Sequence, residues 1–268
     1  MYPFIHVFGK SIGSYALVSL IGFLLSALMV YHHCKKKQIN YVDLVLMLVF
    51  VTTGIVVGGH LLYGITHFER IVQFFADFTD LKTLIHNLSI AFGGMVFYGG
   101  FIGSVAAVYL YTHFFKEIDR PFAFDMLALS TPLFHTFGRI GCFLGGCCYG
   151  VECSWGITVH NNPVLPELND VTRFPVQLVE AGCNLMIFGL LLLLFRRKSN
   201  RLPLLSCYVF LYAPVRFTLE FLRGDVIRGF WMGLSTSQWI SLLLLSVALL
   251  QIPINHRRSA CIRPKKEI

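Results

Sequence analysis

Seven runs of about 20 apolar residues, the length that carries an α-helix across a hydrocarbon core, take up most of this 268-residue chain. They fall near 12–32, 42–64, 88–114, 122–144, 176–195, 202–222 and 235–254. In lipid each backbone N–H and C=O has to be paired inside its own segment, so single runs of this length become helices. Composition agrees, with 56% hydrophobic and 13% charged residues and a mean hydropathy of +0.67. The runs leave no room for a separate soluble domain. The expectation is an all-α polytopic membrane bundle of about seven transmembrane helices, one domain over 1–268. The first run lacks a basic leader and a small-x-small cleavage site, and is expected to stay as the first helix.

A net charge of +8 suggests nucleic acid, but its distribution excludes that partner. Fourteen of the 22 Lys and Arg fall at Lys35 to Lys37, Lys116 and Arg120, Arg196 to Arg201, and Arg257 to Lys266. With seven spans those places share one face, which the positive-inside rule makes cytoplasmic. The N-terminus is then outside and the C-terminus inside, with 255–268 a basic tail near anionic headgroups. The outer connections are near 65–88, 145–175 and 223–234. The first carries Phe68, Phe74, Phe75 and Phe78 and is either an interfacial amphipathic element or a loop packed on the bundle. The second, with Asn161-Asn162-Pro163 and Pro166, reads as irregular.

Three clusters in the outer half can carry chemistry. His135-Thr136-Phe137-Gly138-Arg139 opens a stretch to Gly150 that holds five glycines. An arginine in a span costs roughly 2.5–3.5 kcal/mol on insertion scales and marks a functional site by default. Arg139 has no carboxylate within four residues of itself, which implies a ligand or a partner from elsewhere. Gly93-Gly94 and Gly99-Gly100 bracket Tyr98, and are either close-packing positions or a surface for a ligand. Tyr98 taken alone reads as an interfacial anchor. Arg216 and Glu220, four apart, can face each other, with Arg223 on about the same side. That pair is either a register-fixing ion pair or part of a phosphate cradle, because guanidinium forks bind phosphate bidentately.

These segments, in this order, resemble the prolipoprotein diacylglyceryl transferase family over nearly the whole chain. Ser14-Tyr15-Ala16-Leu17 with Ile21-Gly22-Phe23 is similar to its first-helix segment, and Gly93 to Gly103 to its third-helix glycine motif. Gly138 to Gly150 resembles its signature, Phe174 to Glu180 the start of its fifth helix, and Tyr212 to Asp225 its Arg-x-x-x-Glu-x-x-Arg segment. The resemblance implies transfer of a diacylglyceryl group from phosphatidylglycerol to the lipobox cysteine of secreted prolipoproteins, in the bacterial cytoplasmic (inner) membrane. Glycerol phosphate leaves and a thioether forms, with no metal or cofactor. It further implies that Arg139, Arg216 and Arg223 hold the headgroup, with Tyr15, Gly138, Gly99 and Gly100 around it. Arg139, Arg216, Glu220 and Tyr98 become the expected catalytic group.

The chain departs from the family pattern around that site. Tyr98 stands where the family carries a histidine, the usual candidate base, which leaves His135 or Glu220 as alternatives. Cys142 replaces an asparagine, Cys147 a glutamate, Phe174-Pro175-Val176-Gln177 a His-Pro-Ser-Gln, and His60 an arginine. Three readings stand for Cys142, Cys147, Cys148 and Cys153: small-residue packing, a disulfide from Cys147 or Cys148 to Cys153, or a metal or redox site. Other functions stay open beside the transferase: a paralogue with another acceptor or only lipid binding, a membrane redox or metal protein, and a transporter.

Overall fold

The computed structural model describes residues 1–7, 9–67, 72, 81–160, 162–197, 203–225 and 230–261. They are mostly helical. A hairpin of β1 (Phe4–Val7) and β2 (Lys10–Gly13) leads directly into α1 (Ser14–Lys36), followed by α2 (Tyr41–Thr66). Then come α3 (Leu81–Phe92), α4 (Phe97–Phe114) and α5 (Arg120–Gly145). Strand β3 (Glu152–Thr158) pairs antiparallel with β4 (Thr172–Arg173). Helices α6 (Val176–Arg197) and α7 (Leu204–Glu220), the short pair β5 (Phe230–Trp231) and β6 (Leu234–Ser235), and α8 (Thr236–Cys261) complete the order.

Helices α1, α2 and α6 are each long and apolar enough to cross a membrane. The expected third run is not one straight helix: Ile85–Phe92 and Phe97–Phe114 meet at 95° and make a fourth span only if taken together. The break falls at Gly93-Gly94, and its loose backbone groups are taken up by α2. His60 Nδ1 donates to the carbonyls of Phe92 (2.6 Å) and Gly94 (2.9 Å), and Val96 N–H to that of Gly59 (3.2 Å). This is the way irregular backbone is tolerated at membrane depth, by burial against protein. The departure at His60 therefore has a structural use. Of the Phe-rich connection, Phe68, Phe74, Phe75 and Phe78 lie outside the described residues.

The expected irregular segment 145–175 is more ordered than its composition suggests. Besides β3 and β4, Asn162 is buried and accepts from the N–H groups of Val164 (2.9 Å) and Leu165 (3.2 Å), holding the chain ahead of a 3₁₀ turn at Pro166–Leu168. Such side-chain-to-backbone bonds are how Asn builds a turn.

The chain divides into two compact units. The first comprises Met1–Ser26, Ala128–Ile227 and Ser237–Ile268, the second Ala27–Leu127 and Arg228–Thr236. In the second unit α2 and α4 cross at glycines. A Cβ at Gly54 or Gly58 would strike the backbone of Gly103 or Gly99, and Cβ atoms at Gly99 and Gly103 would strike α2 in return. In the first unit α5, α6 and α7 are joined by charged and aromatic side chains instead. A Cβ on Gly22 of α1 would clash with Phe137 of α5.

Candidate active site

Glu180 is the centre of the first unit. It sits in the second turn of α6, 1% exposed, and the neighbouring helices converge on it. From α5, Arg139 Nε lies 3.0 Å from its Oε2, an ionic contact whose angle falls short of a hydrogen bond. From α7, Arg216 Nη1 donates to the same Oε2 at 3.4 Å, and the Tyr212 hydroxyl donates to Oε1 at 2.8 Å. His135 Nε2 is 3.8 Å from Oε1. The second nitrogen of Arg216, Nη2, lies 2.6 Å from Glu220 Oε2 one turn further along α7, and also donates to Ser237 Oγ at 3.2 Å.

Two guanidinium groups and two carboxylates thus form one buried cluster with no net charge. Coulomb attraction between such groups is strong where water is excluded, but the cost of dehydrating each ion is also large. What the pairing secures is position. Arg139 presents five N–H donors, and its contact with Glu180 engages the guanidinium on one side only. Tyr212 is fixed in turn by its neighbours: it stacks on Tyr208 with ring centres 5.4 Å apart and meets the His135 ring edge-on at 5.3 Å.

The loops that follow α5 and α7 and the segment that precedes α6 are tied to one another. Gly150 and Arg223 form a β-bridge, Gly224 N–H donates to the Tyr149 carbonyl (3.0 Å), and Phe174 N–H to that of Val151 (2.9 Å). Only glycine fits at 150, because a Cβ there would run into the carbonyls of Phe174 and Leu222. Gln177 Nε2 donates to the Cys147 carbonyl at 2.9 Å, tying the start of α6 to the loop after α5. Arg223 is gripped bidentately by Asp225, Nε to Oδ1 at 3.0 Å and Nη2 to Oδ2 at 2.8 Å. Burial raises the Asp225 carboxyl above its ordinary range, and Arg223 partly offsets that.

Of the expected site residues, Arg139, Arg216, Glu220 and His135 come together in the first unit, with Arg223 in the adjoining loop. Tyr15 opens α1 there and is 48% exposed, with Gly141 close to its backbone. A Cβ at Gly138 would meet nothing within 4 Å, so that glycine faces open space rather than a packed neighbour. Tyr98, Gly99 and Gly100 belong to the second unit. Tyr98 is buried at the start of α4, not an exposed anchor. Gly99 faces Leu62, whose Cβ would lie 2.6 Å from an added methyl, and Gly100 faces Ile55 at 3.3 Å. Cys34, Cys142, Cys147, Cys148, Cys153, Cys183 and Cys207 are free thiols.

Sequence reasoning passes over Glu180 and Tyr212. Glu180 answers the question Arg139 poses, since it is the partner from elsewhere that an isolated arginine in a span demands. The available signal was a lone carboxylate inside an apolar run, which is as conspicuous as a lone arginine.

A helical chain with several membrane-length apolar segments and a buried arginine–carboxylate cluster has the features of a helical membrane protein with a charged site inside its bundle. Comparison with known proteins narrows the class. The family model described as prolipoprotein diacylglyceryl transferase matches residues 3–253. The chain belongs to that family of transferases. Similar relatives include the phosphatidylglycerol–prolipoprotein diacylglyceryl transferase of Clostridium tetani, 32% identical over 94% of this chain and 96% of the relative. The enzyme carrying that name with the number 2 in Clostridium perfringens is 30% identical over 93% of both chains. The Campylobacter hominis enzyme is 31% identical over 89% of this chain and 85% of its own.

Proposed function

We propose that this chain moves the diacylglyceryl group of phosphatidylglycerol onto the lipobox cysteine of secreted prolipoproteins. The observation that carries the reading is the Arg139–Glu180–Arg216–Glu220 cluster, buried among membrane helices in a member of this family. The thiolate sulfur attacks the glyceryl carbon bonded to phosphate. A C–S bond forms, the C–O bond to phosphate breaks, and glycerol phosphate departs with the electron pair. The thiol proton ends on a basic group or on the leaving phosphate.

In this reading Arg139 holds the phosphate with the donors that Glu180 leaves unused. Arg216, engaged on both sides, keeps Arg139 and Glu180 in place and lends its field. Preorganised donors aimed at developing charge are the largest single contribution in most such reactions. Arg223, Tyr15 and Gly138 line the headgroup, and by the family resemblance Tyr98, Gly99 and Gly100 of the second unit also act on the substrate. His135 or Glu220 takes the proton, with Tyr98 orienting the phosphate or thiol. The chain forms one integral domain of seven spans in the bacterial cytoplasmic membrane, N-terminus outside, with basic residues 255–268 on the cytoplasmic side.

Transfer of labelled diacylglyceryl from phosphatidylglycerol to a lipobox peptide by the purified protein tests this directly. Wild type should transfer and Arg139→Ala should not, while remaining inserted and folded. Full activity in the Arg139 variant would remove that residue from the site.

A further inference from the structure

Three cysteines converge at the end of α5, and the transfer scheme makes no use of them. The thiol sulfurs of Cys142, Cys147 and Cys148 all lie within 4.8 Å of one another. The backbone is shaped to bring them there. Gly146 (φ +82°) and Cys148 (φ +58°) both adopt left-handed conformations, which turn the chain back on itself. That conformation is cheap for Gly146 and costs energy at a cysteine. Cys147 N–H donates to the Cys142 carbonyl at 3.1 Å, and Gln177 grips the Cys147 carbonyl from α6. The turn is thus held from two sides with its sulfurs gathered.

Three thiolates around one zinc-sized ion, at a metal–sulfur distance of about 2.3 Å, stand about 4 Å apart. The observed spacing is within a small side-chain adjustment of that arrangement. Soft thiolate donors select zinc, cadmium or monovalent copper over hard cations. Three protein ligands leave one position open, the pattern of catalytic rather than structural zinc. A divalent ion with three thiolates carries one negative charge, and four thiolates make it two. Cationic groups stand ready to balance it: Arg139 is one helical turn before Cys142, and the charges of Arg139 and Arg223 both act on Cys148.

We propose that Cys142, Cys147 and Cys148 bind one soft divalent cation of the zinc class, and that its open position receives the acceptor's cysteine thiol. The second half rests on the transferase reading above. Each protein thiol gives up its proton to solvent as the ion binds, and the acceptor thiol passes its proton to the base of the scheme above on entering. The metal-bound acceptor sulfur then attacks the glyceryl carbon while the bond from that carbon to the phosphate oxygen breaks. No oxidant or reductant is involved.

Cadmium is the probe, because thiolate-to-cadmium charge transfer absorbs in the ultraviolet. The full chain, purified in detergent under reducing conditions, should bind one equivalent of Cd²⁺ with that band. Cys142→Ser, Cys147→Ser and Cys148→Ser should each lose it, and Cys183→Ser should keep it. A lipobox peptide added to the loaded protein should raise the band by about one third, as a fourth thiolate joins three, and the peptide with serine for cysteine should not. No band in wild type, or a band that survives loss of all three cysteines, overturns the site. A cadmium band that the cysteine peptide leaves unchanged overturns the assignment of the open position. Wild-type binding does not depend on whether variants fold. Absorbance is also read apart from transfer, so a protein that binds cadmium but transfers nothing would refute the transferase reading and leave the site standing.

Discussion

Helices α5, α6 and α7 are held together by opposite charges, α2 and α4 by the absence of side chains. The two contacts answer one problem. Lipid tails are as apolar as leucine, so burial of apolar surface gives membrane helices little reason to associate, and packing or polar contacts have to do so. Where Gly54 and Gly58 meet Gly99 and Gly103, backbones touch and dispersion gains come from close approach. Where Arg139, Arg216 and Glu180 meet, the gain is electrostatic and the dehydration cost is high. The first is economical and brings no charged groups of its own. The second is expensive and supplies the charged donors that the proposed reaction uses.

The sharpest way to break the contrast is to remove the shared carboxylate. Glu180→Ala leaves two guanidinium groups buried with half of their compensation gone. Breaking a buried pair from one side costs about 3–5 kcal/mol, so this variant should unfold far earlier than wild type in detergent and transfer nothing. Glu180→Gln keeps the volume and one acceptor and should fall between the two. A Glu180→Ala protein with wild-type thermal stability would mean that the arginines find water or lipid phosphate readily, and the cluster would no longer count as a structural centre.

Tyr212→Phe is the next step down. It deletes the hydrogen bond to Glu180 Oε1 but leaves both ring contacts, on Tyr208 and His135. A bond to a charged group contributes about 1.5–3 kcal/mol. The expected loss lies in that range, with a drop in transfer because Glu180 is free to shift between the arginines. Equal stability would show that Tyr212 contributes only its ring.

The membrane class, the order of the helices and the Arg216–Glu220 spacing were all legible in the sequence. They rest on periodicity and composition, which local chain chemistry fixes. The hub was not. Arg139 and Glu180 are 41 residues apart, and nothing in either local pattern says which way α6 turns against α5. The bend at Gly93-Gly94 was hidden for the opposite reason: the run of apolar residues continues through it, while the determinant, His60, is on another helix. Asn162 shows the same limit on a smaller scale, since its polar segment reads as irregular until its own side chain is seen holding the turn.

On the glycine side of the comparison, Gly58→Ala adds one methyl against the carbonyl of Gly99 and within 2.9 Å of Gly103 Cα. Backbone cannot swing aside as a long side chain does, so α2 and α4 must separate. Overpacking of this kind costs about 1–3 kcal/mol. Gly58→Leu should cost more than Gly58→Ala. Both should reduce transfer only as far as they disturb α4, which carries Tyr98. A substitution at Gly58 that abolished transfer without loss of stability would reverse the division of labour drawn here.

The smallest effect belongs to a pair of the same chemistry in the opposite setting. Glu152 and Arg173 join β3 to β4 through a 2.8 Å contact, but the Glu152 side chain is 67% exposed. Water and salt screen that attraction, and exposed pairs are worth about 0–1 kcal/mol. Arg173 also keeps its place without Glu152, over the Tyr149 ring at 4.8 Å and on the Gly150 carbonyl at 3.4 Å. Glu152→Gln should therefore shift thermal unfolding barely at all, less still at high salt, and leave transfer unchanged. Set beside Glu180→Ala, it isolates burial as the variable, since both variants take a carboxylate away from an arginine. A large loss at Glu152 would mean that the loop after α5 is held by charge after all, and the glycine at 150 would lose its standing as the feature that seats it.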